Sequence, residues 1–168
     1  MPTEYTGGKI LWAHPDGYFI SQYGQKLKHN FSPGNKRGFT AAHPSSGGNT
    51  GGHYPIMRQF GGKACHLLMA LAFYGPRPLY RGRNGAPYVG ICHHLFNDKL
   101  DYRPANLLCW LSREQHREAD RRQRALKKVL GDFKSCTYDV MRKLQDPRCI
   151  SNEGFEKFID HLNSLLNE

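Results

Sequence analysis

The stretch from Tyr88 to His116, YVGICHHLFNDKLDYRPANLLCWLSREQH, carries the clearest structural pattern in the chain. Residues 88–92 and 106–111 are short segments rich in apolar, aromatic and β-branched side chains, and a polar loop separates them, which is typical of two paired strands. Ser112 follows directly, with Gln115 three residues later, and this spacing is a capping box that begins a helix. We therefore predict a β-hairpin that leads into a helix.

Three histidines and one asparagine stand at the ends of these elements. His93 and His94 end the first strand. Asn106 begins the second strand 12 residues after His94, and His116 lies 10 residues further on, in the first turn of the helix. Imidazole and oxygen ligands suit a divalent cation that keeps positions open for phosphate and water. A neutral histidine beside such an ion can take a proton from the attacking water near neutral pH.

The bulk composition predicts a folded, basic protein. The chain has 168 residues, of which 39% are hydrophobic and 23% charged, so it can form a core. Lysine and arginine outnumber the acidic residues 24 to 14, which gives a formal net charge of +10. Because each cation that neutralises a phosphate releases a condensed counterion, this excess favours a polyanionic partner such as DNA. Ribosomal and membrane-surface proteins share such a charge, so the excess alone does not identify the partner.

The cysteines and the apolar runs indicate a cytoplasmic protein. The five cysteines are odd in number and include no Cys-x-x-Cys pair, which disfavours a disulfide scaffold and a thiolate zinc site. The first residues, MPTEY, lack the basic and apolar regions of a signal peptide, and the longest apolar run, 67–74, is too short to cross a bilayer. We expect no membrane partner and no small-molecule substrate.

The N-terminal part of the chain has strand and loop patterns. Residues 9–28 predict a β-hairpin that turns at 22–24, and residues 54–60 predict another strand. Between them, residues 32–52 are polar and glycine-rich, which predicts a loop, crossed by a short strand near 37–41.

Helical patterns follow from residue 63 onward. Residues 63–74 have helical spacing that stops at Gly75, and a proline- and glycine-rich loop is expected over 76–87. The helix that begins at Ser112 is expected to end at Gly131. Two further amphipathic helices are predicted, at 137–144 and 152–166.

The segment around the histidines resembles the HNH endonucleases, in particular the homing endonucleases common in phages. The motif of that family reads roughly His-Ile-Asp-Gly-Asn-Lys-Leu-Asn-Asn-Arg-Pro-Glu-Asn-Leu. This chain reads His94-Leu-Phe-Asn-Asp-Lys-Leu-Asp-Tyr-Arg-Pro-Ala-Asn106-Leu, in the same register and without a gap. Residues 66–73 resemble the helix that precedes the family's ββα unit, and residues 17–24 resemble a short N-terminal module of the same proteins. The resemblance spans about residues 9–125.

This resemblance implies an α+β fold, with a ββα-metal (His-Me finger) nuclease core between a mostly β N-terminal region and a helical C-terminal tail. We expect a DNA-binding module over 1–62, the nuclease core over 63–131 and a helical extension over 132–168. The implied activity is hydrolysis of DNA phosphodiester bonds with a divalent ion, Mg²⁺ in the first place and Mn²⁺ or Zn²⁺ as alternatives. The products would carry 5′-phosphate and 3′-hydroxyl ends.

The resemblance also implies a role for each site residue. His94 matches the general base that activates water, and Asn106 matches the asparagine that braces the loop and orients this base. His93 stands where phage relatives often carry aspartate. A His-His pair also opens the motif of the colicin-type DNases, in which the first histidine binds metal, so we expect His93 to be a metal ligand. His116 falls near the third position, a ligand that is asparagine or histidine in relatives.

Two features depart from the family pattern. The strand after Asn106 is one residue longer, because Trp110 comes one step late, so that His116 rather than Gln115 would be the third ligand. Neighbouring residues on a regular strand face opposite sides, so His93 and His94 can serve one centre only where the strand distorts.

Basic residues predict the DNA-binding surface. Five of them are spaced to lie on one face of the helix that begins at Ser112: Arg113, Arg117, Arg121, Arg124 and Lys128. A solvated face with intrahelical Glu118–Arg122 and Asp120–Arg124 pairs is the simpler interpretation. However, five like charges in a stripe repel each other, which favours contact with DNA phosphates. The loop that carries Arg81 and Arg83 is a second candidate surface.

Two other functions stay open at this point. A DNA-binding protein of the same fold can lack cutting activity, although the presence of His94 argues against this. A structural zinc module would use Cys92 and Cys109 together with the histidines. Both cysteines lie in apolar strands, where a free cysteine usually acts as a small hydrophobic residue. We expect the histidines outside the motif, including His66, to be surface residues or structural residues of the core.

Overall fold

The computed structural model describes residues 2–5, 9–20, 26–27, 56–57, 63–132 and 136–167. In these ranges helices alternate with small sheets, and every strand pairing with an assigned register is antiparallel, which confirms the predicted α+β class. No helix of the described ranges is long and apolar enough to cross a membrane.

The chain divides into two compact units that do not follow the predicted domain boundaries. The first unit contains Met1–Pro76 and Asp98–Leu107, and the second contains Arg77–Asn97 and Leu108–Glu168. The predicted divisions are 1–62, 63–131 and 132–168. They differ because the helix after residue 63 joins the N-terminal strands, and because the helices after residue 132 share a core with the helix that begins at 113.

The first unit contains a four-stranded antiparallel sheet. Its strands pair in chain order: β1 (Pro2–Tyr5), β2 (Lys9–His14), β3 (Tyr18–Ile20) and β4 (Lys26–Leu27). The turn between β2 and β3 ends at Gly17, whose φ of +83° is a left-handed conformation that favours glycine. The predicted hairpin over 9–28 therefore contains three strands with a turn at 15–17. The predicted turn at 22–24 lies outside the described residues.

Helix α1 (Cys65–Tyr74) contacts strands β1 and β2 of this sheet. A short antiparallel pair precedes it, β5 (Ile56–Met57) with β6 (Lys63–Ala64). β5 lies within the strand predicted over 54–60, and the other residues of that prediction lie outside the described residues. Most of α1 is buried, including His66, and this burial agrees with the structural role expected for that histidine. The loop predicted over 32–52, with its strand near 37–41, lies outside the described residues.

The loop 98–107 belongs to the first unit through specific contacts. Tyr102 is buried and its ring stacks on Phe19 of β3, with centroids 6.0 Å apart. The Tyr74 hydroxyl at the end of α1 donates a hydrogen bond to the Pro104 carbonyl at 2.7 Å. Gly17 also lies against this loop, since a Cβ there would meet the Arg103 side chain at 2.8 Å.

The strands of the second unit form two small pairs. β7 (Leu79–Arg81) and β8 (Pro87–Val89) form a hairpin, so the loop predicted over 76–87 was wrong for residues 79–81. β9 (Ile91–His94) pairs with β10 (Leu107–Leu111). The strand predicted over 88–92 is interrupted at Gly90, where a Cβ would lie 3.0 Å from the Pro78 ring.

Three helices complete the second unit: α2 (Arg113–Leu130), α3 (Tyr138–Gln145) and α4 (Asn152–Leu166). The capping box of α2 is confirmed, because the Ser112 side chain accepts from the Gln115 N–H and the Gln115 side chain accepts from the Ser112 N–H. All three helices lie within two residues of their predicted bounds. Their apolar faces share one core with the strands: Leu95, Leu108, Leu111, Ala119, Leu126, Met141, Phe155 and Ile159.

Candidate metal centre

Three side chains of the second unit, His93, His116 and Asp120, form a group that can hold a metal ion, with one ligand atom of each within 4.8 Å of the others. His93 Nδ1 lies 3.1 Å from Asp120 Oδ1, and His116 Nδ1 lies 3.5 Å from Asp120 Oδ2. Adjacent ligands of an ion bound at about 2.1 Å are roughly 3.0 to 3.4 Å apart. The two nitrogen–oxygen pairs therefore already have nearly the separation of neighbouring metal ligands.

Local sequence features position these three residues. His93 is the second-last residue of β9. His116 and Asp120 are four residues apart on α2, so they lie one above the other on the same helix face. The capping box at Ser112 determines where α2 begins. It thereby determines that His116 and Asp120, rather than their neighbours, face the end of β9.

Electrostatic surroundings favour the metal-binding forms of two of these groups. Burial lowers the pKa of His116 below its usual value, the charge of Asp120 opposes this shift, and His93 adds to it. Burial by itself would raise the pKa of Asp120, but the hydrogen bond with His93 and the neighbouring positive groups lower it overall. A neutral imidazole and an ionised carboxylate are the forms that bind metal.

His94, the predicted general base, is buried at the end of β9 but is not a member of this group. Its carbonyl oxygen accepts hydrogen bonds from the Asn97 N–H at 3.1 Å and from the Gln123 side chain at 2.7 Å. The last two residues of β9 are both buried, so both faces of the strand are covered at its end.

Asn106 belongs to the first unit and is fully buried there. Its side-chain amide donates to the Asp101 carbonyl at 2.8 Å and to the Asp98 carbonyl at 3.4 Å. These contacts tie together the two ends of the loop 98–106. The orientation of His94 by Asn106 stays a prediction.

The structure places His116, and not Gln115, in the metal-binding group. The side chain of Gln115 is used in the capping box, where its Oε1 accepts from the Ser112 N–H at 2.9 Å. Trp110, the residue that comes one step late against the family pattern, has a φ of +63°, a left-handed conformation that is rare for a large side chain. All five residues of β10 are buried, so both faces of this strand are covered.

Asp120 is the site residue that sequence reasoning missed. Its spacing predicts a pair with Arg124, but among the described residues its ion pairs are with His93 and His116. A carboxylate four residues after a candidate ligand on a helix is the sequence signal that points to it. The same signal also describes many surface pairs, so it carries little weight without His93 nearby in space.

Some of the five basic residues in the stripe on α2 form ion pairs with acidic side chains. Arg121 forms ion pairs with Glu118 at 2.8 Å and with Glu156 of α4 at 2.7 Å. Arg117 pairs with Glu114 at 3.4 Å, and the Arg113 guanidinium lies over the Tyr88 ring, 4.4 Å from its centroid. In the described ranges Arg113, Arg124 and Lys128 form no ion pair. Acidic partners therefore offset the charges of Arg117 and Arg121 only, and contact of the stripe with DNA stays a prediction.

Arg122, between these residues, does not lie on the surface. It is fully buried and pairs with Glu118 at 2.9 Å, as the intrahelical pattern predicts. Its other nitrogens donate to the Ile150 carbonyl at 2.9 Å and to the Asn152 side chain at 2.7 Å. Arg122 therefore joins α2 to the segment that leads into α4.

Three cavities of the second unit carry basic side chains. One of about 530 Å³ is lined by Gln123, Arg124 and Lys127 together with Phe96 and Asn97. Another, of about 460 Å³, is lined by Arg117, Arg121 and Arg124 together with acidic side chains that include Asp120. A third, of about 260 Å³, is lined by residues that include Arg83, Tyr88, Arg113 and Arg117. Arg81 is exposed on β7.

Cys92 and Cys109 face each other across β9 and β10, with their sulfur atoms 2.7 Å apart. Both are free thiols, and burial together with the neighbouring Cys92 raises the pKa of Cys109 far above its usual value. In the part of the chain that the structure describes, the metal-binding group contains no cysteine.

No family model, no curated protein and no solved structure matches the chain. A functional interpretation therefore depends on the motif residues and on the geometry of the second unit.

Proposed function

We propose that the chain is a metal-dependent DNA endonuclease of the HNH type, with a ββα-metal centre made of β9, β10 and α2. The observation that carries this proposal is the convergence of His93, at the end of β9, with His116 and Asp120 on α2, in a segment whose elements follow the order strand, strand, helix. Three protein ligands leave coordination positions for water and a phosphate oxygen, as catalytic sites require.

A divalent ion at this group would stabilise the negative charge that develops on the phosphate during hydrolysis. His93, His116 and Asp120 would hold it. Imidazole nitrogen suits Zn²⁺, whereas a carboxylate oxygen suits Mg²⁺ and Mn²⁺, so the mixed donor set is compatible with all three ions.

His94 is proposed to accept the proton of the attacking water on an imidazole nitrogen. His94 follows the proposed ligand His93 directly in the chain, and its burial at the strand end limits competing contact with bulk water. General-base catalysis of this kind contributes roughly 10²- to 10⁴-fold in rate.

The DNA backbone is proposed to lie along the basic cavities of the second unit. Arg124 and Lys127 line the larger cavity together with Gln123, whose side chain contacts the His94 carbonyl. Phosphate bound by these cations would therefore lie close to the histidine pair. Arg83, Arg113 and Arg117 offer a second place for the backbone.

A structural zinc module is the weaker alternative. Structural zinc sites are closed by four protein ligands, usually with cysteine. Here the Asp120 side chain is 37% exposed and the His116 side chain 28% exposed, so the group is open on one side. Stoichiometric zinc in protein purified without added metal, together with unfolding on chelation, would favour the structural module.

Plasmid cleavage by the purified chain tests the proposal. We expect cleavage with Mg²⁺, Mn²⁺ or Zn²⁺ and none with chelator. His94→Ala is expected to lose roughly 10²- to 10⁴-fold in rate, and Asp120→Asn to need a higher metal concentration. His161→Ala and Asp160→Asn, both exposed on α4, are the matched controls. Metal-independent cleavage, or a His94→Ala variant as fast as the parent, would contradict the proposal.

A further inference from the structure

We propose that Gln145, the last residue of α3, positions His93 for metal binding by keeping a proton on His93 Nε2. The Nδ1 atom, which faces Asp120, is then the ligand atom. The inference rests on the proposed function, because it concerns His93 as a metal ligand. It also gives α3, a helix beyond residue 132, a direct part in the centre.

The orientation of the Gln145 amide follows from its partners. Gln145 Nε2 lies 2.8 Å from the Leu95 carbonyl oxygen, which can only accept a hydrogen bond. The amide nitrogen must therefore face Leu95, and the amide oxygen must face His93. The distance from Gln145 Oε1 to His93 Nε2 is 2.8 Å.

The neighbouring Gln123 cannot supply the proton for this contact. Its Nε2 donates to the His94 carbonyl at 2.7 Å and to the Leu95 carbonyl at 2.8 Å, which uses both of its N–H groups. It lies 3.3 Å from both His93 Nε2 and Gln145 Oε1, longer than its two bonds to the backbone carbonyls, and has no third proton to donate to either. The hydrogen between His93 and Gln145 must therefore belong to His93 Nε2.

Burial makes this arrangement hard to change. His93 is 4% exposed, Gln123 8% and Gln145 0%. An unprotonated Nε2 would face the Gln145 carbonyl oxygen with no hydrogen between them, and unsatisfied polar groups in such surroundings are costly. With Nε2 protonated, Nδ1 is the ring nitrogen left for a metal ion. In the metal-free protein Nδ1 lies 3.1 Å from Asp120 Oδ1, where it can donate a hydrogen bond, and a bound ion would take the place of that hydrogen. Metal-binding histidines are usually oriented in this way by an acceptor on the other ring nitrogen.

Two variants of Gln145 separate this role from packing. Gln145→Met keeps the length of the side chain but removes the acceptor, whereas Gln145→Glu keeps an acceptor. Met141→Leu changes a buried residue of the same helix and is the matched control. The readouts are the ¹⁵N shifts of the His93 ring in metal-free protein and the affinity for Mn²⁺ measured by calorimetry.

We expect the parent to carry a proton on His93 Nε2. Gln145→Met should lose this preference, with a proton on Nδ1 shared with Asp120, and its Mn²⁺ affinity should fall roughly 10- to 100-fold. Gln145→Glu should keep the Nε2 proton and most of the affinity, and Met141→Leu should resemble the parent.

A parent protein whose His93 is protonated only on Nδ1 would overturn the inference, and this result does not depend on any variant folding. A folded Gln145→Met with the parent's Mn²⁺ affinity would also overturn it, while leaving the proposed metal centre in place. A parent that binds neither Mn²⁺ nor another divalent ion would overturn both.

Discussion

Helix α2 has polar side chains on an inner, buried side and on an outer, exposed side. The two sides differ in how fixed the hydrogen-bond and ion-pair partners of these side chains are. On the inner side, each N–H of Gln123 has a backbone carbonyl as its partner, and His93 Nε2 faces Gln145. On the outer side, the Arg117 side chain is 66% exposed and its contact with Glu114 is a long 3.4 Å. An unmade hydrogen bond costs far more in the interior than at the surface, where water takes the place of the missing partner.

This difference implies a division of roles between the two regions. The inner network should determine stability and metal geometry, because its partners cannot be exchanged. The outer face should determine non-specific DNA affinity, because its cations can exchange water or glutamate for phosphate. Variants of the two regions should therefore change different measurements.

Arg122→Met should have the largest effect on stability. Its guanidinium is fully buried, and its removal leaves the Ile150 carbonyl and Asn152 without their donor. Removing one partner of a buried ion pair costs roughly 3–5 kcal/mol in free energy of unfolding. Urea denaturation measures this change, and Arg124→Met, exposed on the same helix, should change it by less than about 0.5 kcal/mol. Equal stability of the two variants would remove the distinction between the inner and outer residues.

Asn106→Ala extends the comparison to the first unit. Its buried amide donates to the carbonyls of Asp98 and Asp101, so its removal should cost roughly 1–3 kcal/mol of unfolding free energy. Asn163→Ala, on the exposed side of α4, is the control. A variant as stable as the parent but inactive in plasmid cleavage would show that Asn106 acts on metal or water instead of bracing the loop.

Asp146→Asn tests how much a buried carboxylate contributes to stability, through the pH dependence of the unfolding free energy. Burial would raise the pKa of Asp146, but hydrogen bonds from Arg148 and its charge hold this pKa below the usual value. The carboxylate therefore stabilises the fold above pH ~4, and this contribution is lost as the pH falls through its lowered pKa.

The variant should lose about 1 kcal/mol of unfolding free energy at pH 7, a modest loss because Arg148 is half-exposed. Between pH 7 and 3, its unfolding free energy from urea denaturation should fall less steeply than that of the parent. Asp160→Asn is the exposed control. An unchanged acid limb would mean that the Asp146–Arg148 pair does not stabilise the fold.

Replacing Arg117, Arg121 and Arg124 together by Gln should have the smallest effect on stability, because all three side chains reach solvent. The effect should instead fall on DNA binding. Each phosphate that is no longer neutralised should flatten the slope of log affinity against log salt by ~0.9. The slope should therefore flatten by about 2.7 for the triple variant and by about 0.9 for Arg124→Gln alone.

Fluorescence anisotropy over a range of salt concentrations measures this slope, and circular dichroism confirms that the helix is intact. A triple variant with the slope of Arg124→Gln alone would show that Arg117 and Arg121 stay with their glutamates. The parent's slope in every variant would mean that the outer face is only solvated.

Local chemistry explains which elements the sequence predicts well. The start of α2 follows from the capping residues Ser112 and Gln115, and its end follows from Gly131. Each acts only on the helical turn next to it. The strands β9 and β10 follow from short apolar runs, but their irregularities at Gly90 and Trp110 depend on close approach of separate segments.

The parts that sequence reasoning missed depend on partners that are distant in the chain. Asp120 and Arg122 both have the spacing of ordinary surface ion pairs, and only the position of β9 and of the segment before α4 distinguishes them. Gln145 shows no pattern at all as a functional residue. The division into two units was missed for the same reason, since the loop 98–107 packs on strands far earlier in the chain.

The contact between His93 and Gln145 also has a consequence for the time at which the centre is completed. The two residues are 52 positions apart. At a synthesis rate of roughly 5–20 residues per second, Gln145 leaves the ribosome about 3 to 10 seconds after His93. In the last part of that interval, once Lys128 has been made, the nascent chain already contains His116, Asp120 and the basic residues of α2, but His93 still lacks the acceptor on its Nε2. Under the proposed function, tight metal binding, and with it cleavage of nearby DNA, would have to wait until α3 has been made.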